Sequence, residues 1–141
     1  MSADLERFVR AQDPVYGDVL EELRQGRKIS HWMWFVFPQL RGLGHSPMAQ
    51  AYAIDSLAEA RAYLAHPTLG PRLRECADLV LAVDAPTAAS IFGSIDAQKL
   101  RSSMTLFARA DPTEAVFRAV LDRYFDGQPD PLTEALVAEH G

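Results

Sequence analysis

The placement of the prolines is the sequence feature that most constrains the fold. The chain has nine prolines in 141 residues, and most stand at or near the start of a segment with helical periodicity. Ser46-Pro47, Asp111-Pro112 and Asp130-Pro131 each pair a helix-capping side chain with a proline, whose fixed φ suits the first helical position. Proline would interrupt a central strand or a helix interior. The pattern therefore predicts a chain of short helices.

Apolar residues recur at helical spacing between these starts. The predicted helices cover residues 14–26, 31–37, 47–54, 67–83, 86–92, 94–107 and 112–127, with others beginning after Ser56 and at Pro131. Gly93 is predicted to separate two of them. No run shows the sustained alternation of a half-buried strand. We predict an all-α fold, one domain over residues 1–141, with at most a minor strand near 32–37.

Composition and charge exclude several classes of protein. Hydrophobic residues make up 48% and charged residues 23% of the chain, as in ordinary globular domains. Fourteen Lys+Arg against nineteen Asp+Glu give a net charge of −5, which argues against nucleic acid as a partner. The single cysteine, Cys76, excludes a disulfide framework.

Sequence features also bear on the location of the protein and on its cofactors. The N-terminal residues are too charged for a signal peptide, and no apolar run approaches the length of a membrane span. We therefore expect a cytoplasmic protein with no membrane partner. No histidine, cysteine or carboxylate spacing is typical of a metal site, and we expect neither a metal nor another cofactor.

Residues 24–48 form the first candidate for a functional site because they mix aromatic and basic side chains. Trp32 and Trp34 lie close to Arg27 and Lys28. Nucleobases stack on aromatic rings and phosphates pair with cations, so this mixture suits a nucleotide. The tryptophans are also compatible with a core role, in which their indole N–H groups would need hydrogen-bond partners.

The rest of this segment adds further candidates. Gly42 and Gly44 form a loop whose amides can approach an anion, and Ser46 opens a helix with spare N–H donors. His31 is a candidate acid–base group because an imidazole titrates close to neutral pH. The candidate ligand-binding residues of this segment are Arg27, Lys28, Ser30, Trp32, Trp34, Gln39, Gly42, Gly44 and Ser46.

Residues 96–109 form the second candidate. Lys99, Ser102 and Ser103 share one side of the predicted helix. Lys99 lies at the flank of the apolar stripe, where partial desolvation would make its amine a usable base or imine-forming nucleophile. The serines would then hold a substrate hydroxyl. The alternative is a lysine that extends its ammonium to solvent beside two small packing residues.

Three stretches together resemble the bacterial family called domain of unknown function 1810 (DUF1810). The matching residues are Lys28, 30–35, 37–39, 42–44 and Ser46, then Ala60, Tyr63, Leu64, His66, Pro67, Leu69, Gly70, Arg72 and Leu73, and finally 99–107. The resemblance implies a mainly helical fold similar to YbiA-like proteins. That group includes the NADAR N-glycosidases, which act on ribose-linked substrates such as riboflavin intermediates or ADP-ribosylated guanine.

The resemblance also implies a role for Lys99. Residues 97–100 are similar to a late phrase of the NADAR pattern that carries a functional lysine. That pattern has Glu-His where this chain has Ser30-His31. Cleavage of a glycosidic bond typically requires a carboxylate to stabilise an oxocarbenium-like centre, and Asp96 and Asp130 are the candidates here.

Three functions are compatible with these features. The first is an enzyme, or a degenerate one, acting on a nucleotide or ADP-ribose-like ligand. A tryptophan would stack the base, the basic residues and the glycine loop would hold phosphate, Lys99 with the two serines would meet the ribose, and His31 would move a proton. The second is a non-catalytic module that binds such a ligand or a protein. The third is a helical domain whose aromatic residues all belong to the core.

Overall fold

The structure, a computed structural model, describes residues 4–140, with the side chain of His140 excepted. Across these residues the chain forms nine helices, as predicted for an all-α fold. They are α1 (Glu6–Gln12), α2 (Tyr16–Arg24), α3 (Met33–Val36), α4 (Pro47–Ala51), α5 (Leu57–Ala65), α6 (Leu69–Ala82), α7 (Ala88–Ala110), α8 (Ala115–Tyr124) and α9 (Pro131–His140). Residues 33–36 are helical, so the minor strand allowed near 32–37 does not form. An isolated parallel bridge joins Leu40 and Ile54.

Side-chain caps at the predicted positions start three of these helices. Ser46 Oγ accepts a hydrogen bond from the Ala49 amide, and Ser56 Oγ accepts one from the Glu59 amide, each at 3.1 Å. Asp130 caps α9 in the same way, because its Oδ2 accepts from the Thr133 amide at 3.0 Å. Each of these caps satisfies a donor that the first helical turn leaves unpaired. The helix start predicted at Asp111-Pro112 was wrong, because α8 begins at Ala115 with Glu114 at its N-cap position and no side-chain cap, and Asp111 Oδ1 accepts instead from the Thr113 amide at 3.1 Å.

The N-terminal region differs from the prediction. No helix was expected before Asp13, yet α1 forms because Phe8 and Gln12, one turn apart, point into the core. Gln12 Nε2 donates to the Phe35 carbonyl at 2.6 Å. Asp13 continues the backbone of α1 as its C-terminal cap, and α2 consequently begins at Tyr16, two residues after the predicted proline.

The core is centred on α7, the longest helix. Its apolar face packs against α5, α8 and α9. Phe107 lies between Tyr63 and Phe117, with ring centroids 5.3 and 5.8 Å away. Buried apolar side chains from every helix except α4 belong to one connected cluster, which is the main source of stability for a domain of this size.

Gly93 breaks α7 as the sequence predicts. Its φ of 81° and ψ of 163° are non-helical, and residues other than glycine rarely adopt such a φ. The break separates a short first segment from a long second one that begins next to residues 28–34. The Lys28 amide donates to the Ile91 carbonyl at 2.7 Å, which ties these two parts of the chain together.

Glu22 on α2 fixes the turn that precedes α3. Its Oε1 accepts from the backbone amides of Ile29 and Ser30 at 2.7 and 2.9 Å, and from Trp32 Nε1 at 2.9 Å. Its Oε2 accepts from Ser30 Oγ at 2.7 Å. Burial raises the pKa of this carboxyl, but the hydrogen bonds outweigh burial and lower the pKa to about 2. The carboxylate therefore stabilises the turn in its ionised form.

Replacing Glu22 with Gln should destabilise the fold by about 1–2 kcal/mol at neutral pH, since charge-assisted hydrogen bonds become neutral ones. The native carboxyl has its pKa lowered from 4.5 to about 2. Its stabilisation is therefore complete above about pH 4.5 and is lost as the pH falls toward about 2.

Urea denaturation between pH 2 and pH 7 checks this, with Glu21→Gln as the control because Glu21 is exposed and its carboxylate meets Gln25. If the difference in the free energy of unfolding between the wild type and Glu22→Gln stays constant across this pH range, the stabilisation does not come from the ionised Glu22 carboxylate.

Gly70 lies where α5 and α6 meet. A Cβ added there would lie 2.1 Å from the Leu64 carbonyl oxygen, whereas one added at Gly17 in α2 meets nothing within 4 Å. We expect Gly70→Ala to destabilise the protein by about 2–3 kcal/mol because backbone must move. Gly17→Ala should be neutral or stabilising by up to about 1 kcal/mol. Thermal unfolding of both variants measures this, and equal stability of the two would contradict the packing described.

Candidate active site

Lys28 and Lys99 converge on one carboxylate although they are far apart in the sequence. Lys28 Nζ lies 3.0 Å from Asp96 Oδ2, and Lys99 Nζ lies 3.2 Å from Asp96 Oδ1. The Lys28 side chain is 8% exposed and the Lys99 side chain 24% exposed. The sequence contains only these two lysines. Both therefore belong to the same cluster, which we call the lysine pair.

Each lysine of the pair lies over a tryptophan ring. Lys28 Nζ is 5.2 Å from the centroid of Trp32, and Lys99 Nζ is 5.3 Å from the centroid of Trp34. An ammonium over an indole face is attracted to the ring quadrupole. Lys28 Nζ also donates to the Ser30 carbonyl at 2.6 Å. The turn held by Glu22 thus supplies two of the contacts that position Lys28.

The lysine pair lines an open cavity of about 420 Å³. This volume is in the range of small-molecule sites. Residues from three parts of the chain line it: the segment that leads into α3, α3 itself, and α7 on both sides of its break. They are Lys28, His31, Met33, Trp34, Phe92, Gly93, Ser94, Ile95, Asp96 and Lys99.

The charges in this cavity suit an anionic ligand. Two ammonium groups share one carboxylate, which leaves a net positive charge. The break at Gly93 also places the first turn of the second segment of α7 on the cavity wall, where backbone N–H groups have no helical acceptor. An anion that enters the cavity would compete with Asp96 for the two ammonium groups. The Asp96 carboxylate would then lie close to the bound anion.

Several predicted site residues do come together here. Lys28, His31, Trp34 and Lys99 line the same cavity, with His31 exposed and Trp34 half-buried. Gln39 and Gly44 line an adjoining cavity, which Lys99 also borders. The convergence of the lysine pair was the geometric condition for a shared ligand site.

Trp32 does not reach this site. It is 1% exposed, and its indole N–H is used by Glu22. Its ring packs against Phe37 and Phe92. The core interpretation therefore holds for Trp32, and Trp34 is the tryptophan that offers a surface to a ligand. Ser30 likewise serves the turn, since both its amide and its hydroxyl donate to Glu22.

The two serines of α7 lie apart from the cavity. Ser102 is buried, and its Oγ lies 3.1 Å from the Gln98 carbonyl oxygen and 3.3 Å from Asp130 Oδ2, so these two acceptors share its single proton. Ser103 is fully buried, and its Oγ has no hydrogen-bond partner among the described residues. The expectation that they meet a ribose beside Lys99 was wrong in its geometry: both turn toward the core, while Lys99 occupies the solvent flank.

The glycine loop and Arg27 also lie outside the cavity of the lysine pair. Gly42 has a φ of 106°, and a Cβ there would meet Leu136 of α9 at 3.4 Å. Ser46 is committed to capping α4. Arg27 is exposed and precedes Lys28, but its side chain does not line the cavity. These residues shape or flank the site without contributing to its wall.

The two candidate carboxylates have different roles. Asp130 is 3% exposed and accepts hydrogen bonds from Gln98, Ser102 and Thr133. It is a structural helix cap. Asp96 borders the open cavity and is the carboxylate available to a ligand. Asp96 precedes Lys99 by three residues, and on a helix this spacing places the two side chains next to each other. This spacing is the signal in the sequence that links Asp96 to Lys99.

Glu22 was not assigned a role by the sequence analysis, because its partners depend on the tertiary fold. Cys76 is buried, as its position on the apolar stripe of α6 predicts, and burial raises the pKa of its thiol to about 12. This raised pKa is unfavourable for a nucleophile.

In the part of the chain described, no group of three His, Cys, Asp or Glu residues is arranged to hold a metal ion. None of the described helices is both long and apolar enough to cross a membrane.

Comparisons with known proteins place the chain in a family. No curated protein matches it. The chain is similar to a solved structure, that of the conserved hypothetical protein Rv1873 from Mycobacterium tuberculosis, with 59% identity over 96% of each chain and a TM-score of 0.94. A family profile described as "Protein of unknown function (DUF1810)" matches residues 2–137. The chain therefore belongs to the DUF1810 family.

Proposed function

We propose that the cavity of the lysine pair binds a nucleotide or ADP-ribose-like ligand and hydrolyses its N-glycosidic bond. One observation carries the proposal. Lys28 and Lys99 meet at Asp96 beside Trp34 in an open cavity of about 420 Å³. This arrangement combines cations, a carboxylate and an aromatic surface, which are the groups that a ribosyl phosphate with an attached base requires.

Binding depends on the two ammonium groups. A lysine acts on phosphate as a compact positive charge, and Lys99 is the more exposed of the two. Its ammonium covers part of the Trp34 ring, and the remaining surface of the half-buried indole is open to a base. The phosphate would replace Asp96 as a partner of one or both lysines.

Catalysis depends on Asp96 and His31. In N-glycosidic hydrolysis the bond between C1′ and nitrogen breaks, positive charge develops at C1′, and water adds there. The Asp96 carboxylate, released in part by the phosphate, would stabilise that charge. His31 on the cavity wall would give a proton to the departing nitrogen and would then accept the proton that the water loses as it adds at C1′. The similarity of residues 97–100 to the NADAR pattern supports the same substrate class and a role for Lys99.

A second candidate is a module that binds such a ligand without turnover. One observation favours it. Both lysine ammonium groups form ion pairs with Asp96, so the carboxylate that hydrolysis requires is already engaged by two cations. A module that only binds the ligand would use the lysines as positive charges and would not need a free carboxylate.

The lysine pair should be required for binding. A ligand at about 100 times its Kd adds roughly 2.7 kcal/mol to stability, which thermal unfolding detects. We expect ADP-ribose, NAD or guanosine nucleotides to raise the Tm of the wild type, and Lys28→Ala and Lys99→Ala to abolish the shift. Arg10→Ala removes the same charge at an exposed position paired with Asp4 and should retain it. A shift that survives in both lysine variants would refute the assignment of the site.

Asp96→Asn separates the two candidates. It removes the internal anion that competes for the lysines, so the affinity for ADP-ribose should rise several-fold in calorimetric titration. If the protein is an N-glycosidase, release of the base from NAD, followed by mass spectrometry, should fall to background in this variant. Turnover at the wild-type rate in Asp96→Asn would contradict the proposed role of Asp96. If Asp96→Asn binds ADP-ribose more tightly than the wild type does, and the wild type releases no base from NAD, the result would support the binding module.

A further inference from the structure

A second cavity adjoins that of the lysine pair. Its volume is about 430 Å³. It is lined by Gln39, Leu43, Gly44, Ser94, Ile95, Gln98 and Lys99. Ser94, Ile95 and Lys99 line both cavities. The two cavities therefore share a wall formed by the first turns of the second segment of α7, and Lys99 lies on this wall between them.

The lining of the second cavity differs in chemistry from that of the first. The first contains Asp96, His31 and both lysines, whereas the second contains two carboxamides, Gln39 and Gln98, and two aliphatic side chains. A carboxamide offers one donor group and one acceptor, which can pair with the edge of a nucleobase. Leu43 and Ile95 provide apolar surface for the faces of a ring, and Ile95 is 74% exposed.

The fold positions the two carboxamides to different degrees. The backbone of Gln39 is fixed beside the bridge between Leu40 and Ile54, because its main-chain carbonyl accepts from the Ile54 amide at 2.9 Å. The Gln98 side chain is itself oriented, because its Nε2 donates to Asp130 Oδ1 at 3.0 Å. Polar groups positioned beside an apolar wall favour one ligand orientation over others.

We propose that the second cavity is a nucleobase subsite, and that the ligand of this protein is therefore dinucleotide-like. The diphosphate would lie at Lys99 on the boundary, the reacting ribosyl group would lie beside Asp96, and the distal base would occupy the second cavity against Gln39. This inference rests on the proposed function, because it assigns the first cavity to a ribosyl phosphate.

Calorimetric titration with two probes tests the subsite. ADP-ribose contains the ribosyl group, the diphosphate and a distal base, whereas ribose 5-phosphate contains the ribosyl phosphate alone. We expect ADP-ribose to bind at least about tenfold more tightly, equivalent to about 1.4 kcal/mol. Gln39→Ala should remove most of this advantage and leave the Kd for ribose 5-phosphate unchanged.

Two further variants make the result specific. Gln39→Glu keeps the size of the side chain but replaces the donor group, and it should also weaken ADP-ribose binding selectively. Gln128→Ala, at an exposed glutamine between α8 and α9, is the control and should bind both probes like the wild type. Circular dichroism of each variant confirms that the fold is retained.

The outcomes distinguish this inference from the proposed function. If ribose 5-phosphate binds and ADP-ribose binds no more tightly, or if both Gln39 variants leave its advantage intact, the subsite is disproved while the first cavity keeps its function. If neither probe binds, the proposed function fails and the subsite fails with it.

Discussion

The ionised carboxylate of Glu22 is the interaction on which the candidate site depends. It accepts hydrogen bonds from two consecutive backbone amides, a hydroxyl and an indole N–H within residues 29–32. These bonds fix the turn between α2 and α3 and hold Trp32 in the core. The Trp32 ring then contacts the Lys28 ammonium through a cation–π interaction. Trp34, two residues later, lies on the wall of the cavity.

Asp96 is the second constraint, and it links the turn to the central helix. The glycine break in α7 starts a new helical segment close to the turn held by Glu22. Asp96 lies in the first turn of that segment and pairs with a lysine from each side. The carboxylate neutralises one of the two ammonium charges, so the cluster keeps a net positive charge. In the proposed function a phosphate would exchange with this carboxylate, which would couple ligand binding to the exposure of Asp96.

Local chemistry was predictable from the sequence because it depends on neighbours in the chain. The caps at Ser46, Ser56 and Asp130 and the break at Gly93 follow from side-chain and backbone preferences over a few residues. Both segments that the sequence indicates as candidates contribute residues to the wall of the same cavity. By contrast, α1 was missed because its burial depends on Tyr52 and Tyr63, which lie far along the chain.

Tertiary contacts decided the remaining assignments. Trp32 and Trp34 are chemically identical, and contacts with residues distant in the sequence, the Glu22 carboxylate and the Phe92 ring, hold Trp32 in the core. Ser102 and Ser103 share a helix side with Lys99, but a helical projection does not show where the buried face ends and the cavity begins. The pairing of residue 28 with residue 96 likewise depends on how α7 packs against the turn before α3.

A crystal structure of the protein grown with ADP-ribose tests the central claim most directly. We expect electron density for the diphosphate within hydrogen-bond distance of Lys99 Nζ, with the ribosyl group beside Asp96. Density for the ligand elsewhere on the molecule, with the ion pairs of Lys28 and Lys99 to Asp96 intact, would contradict it.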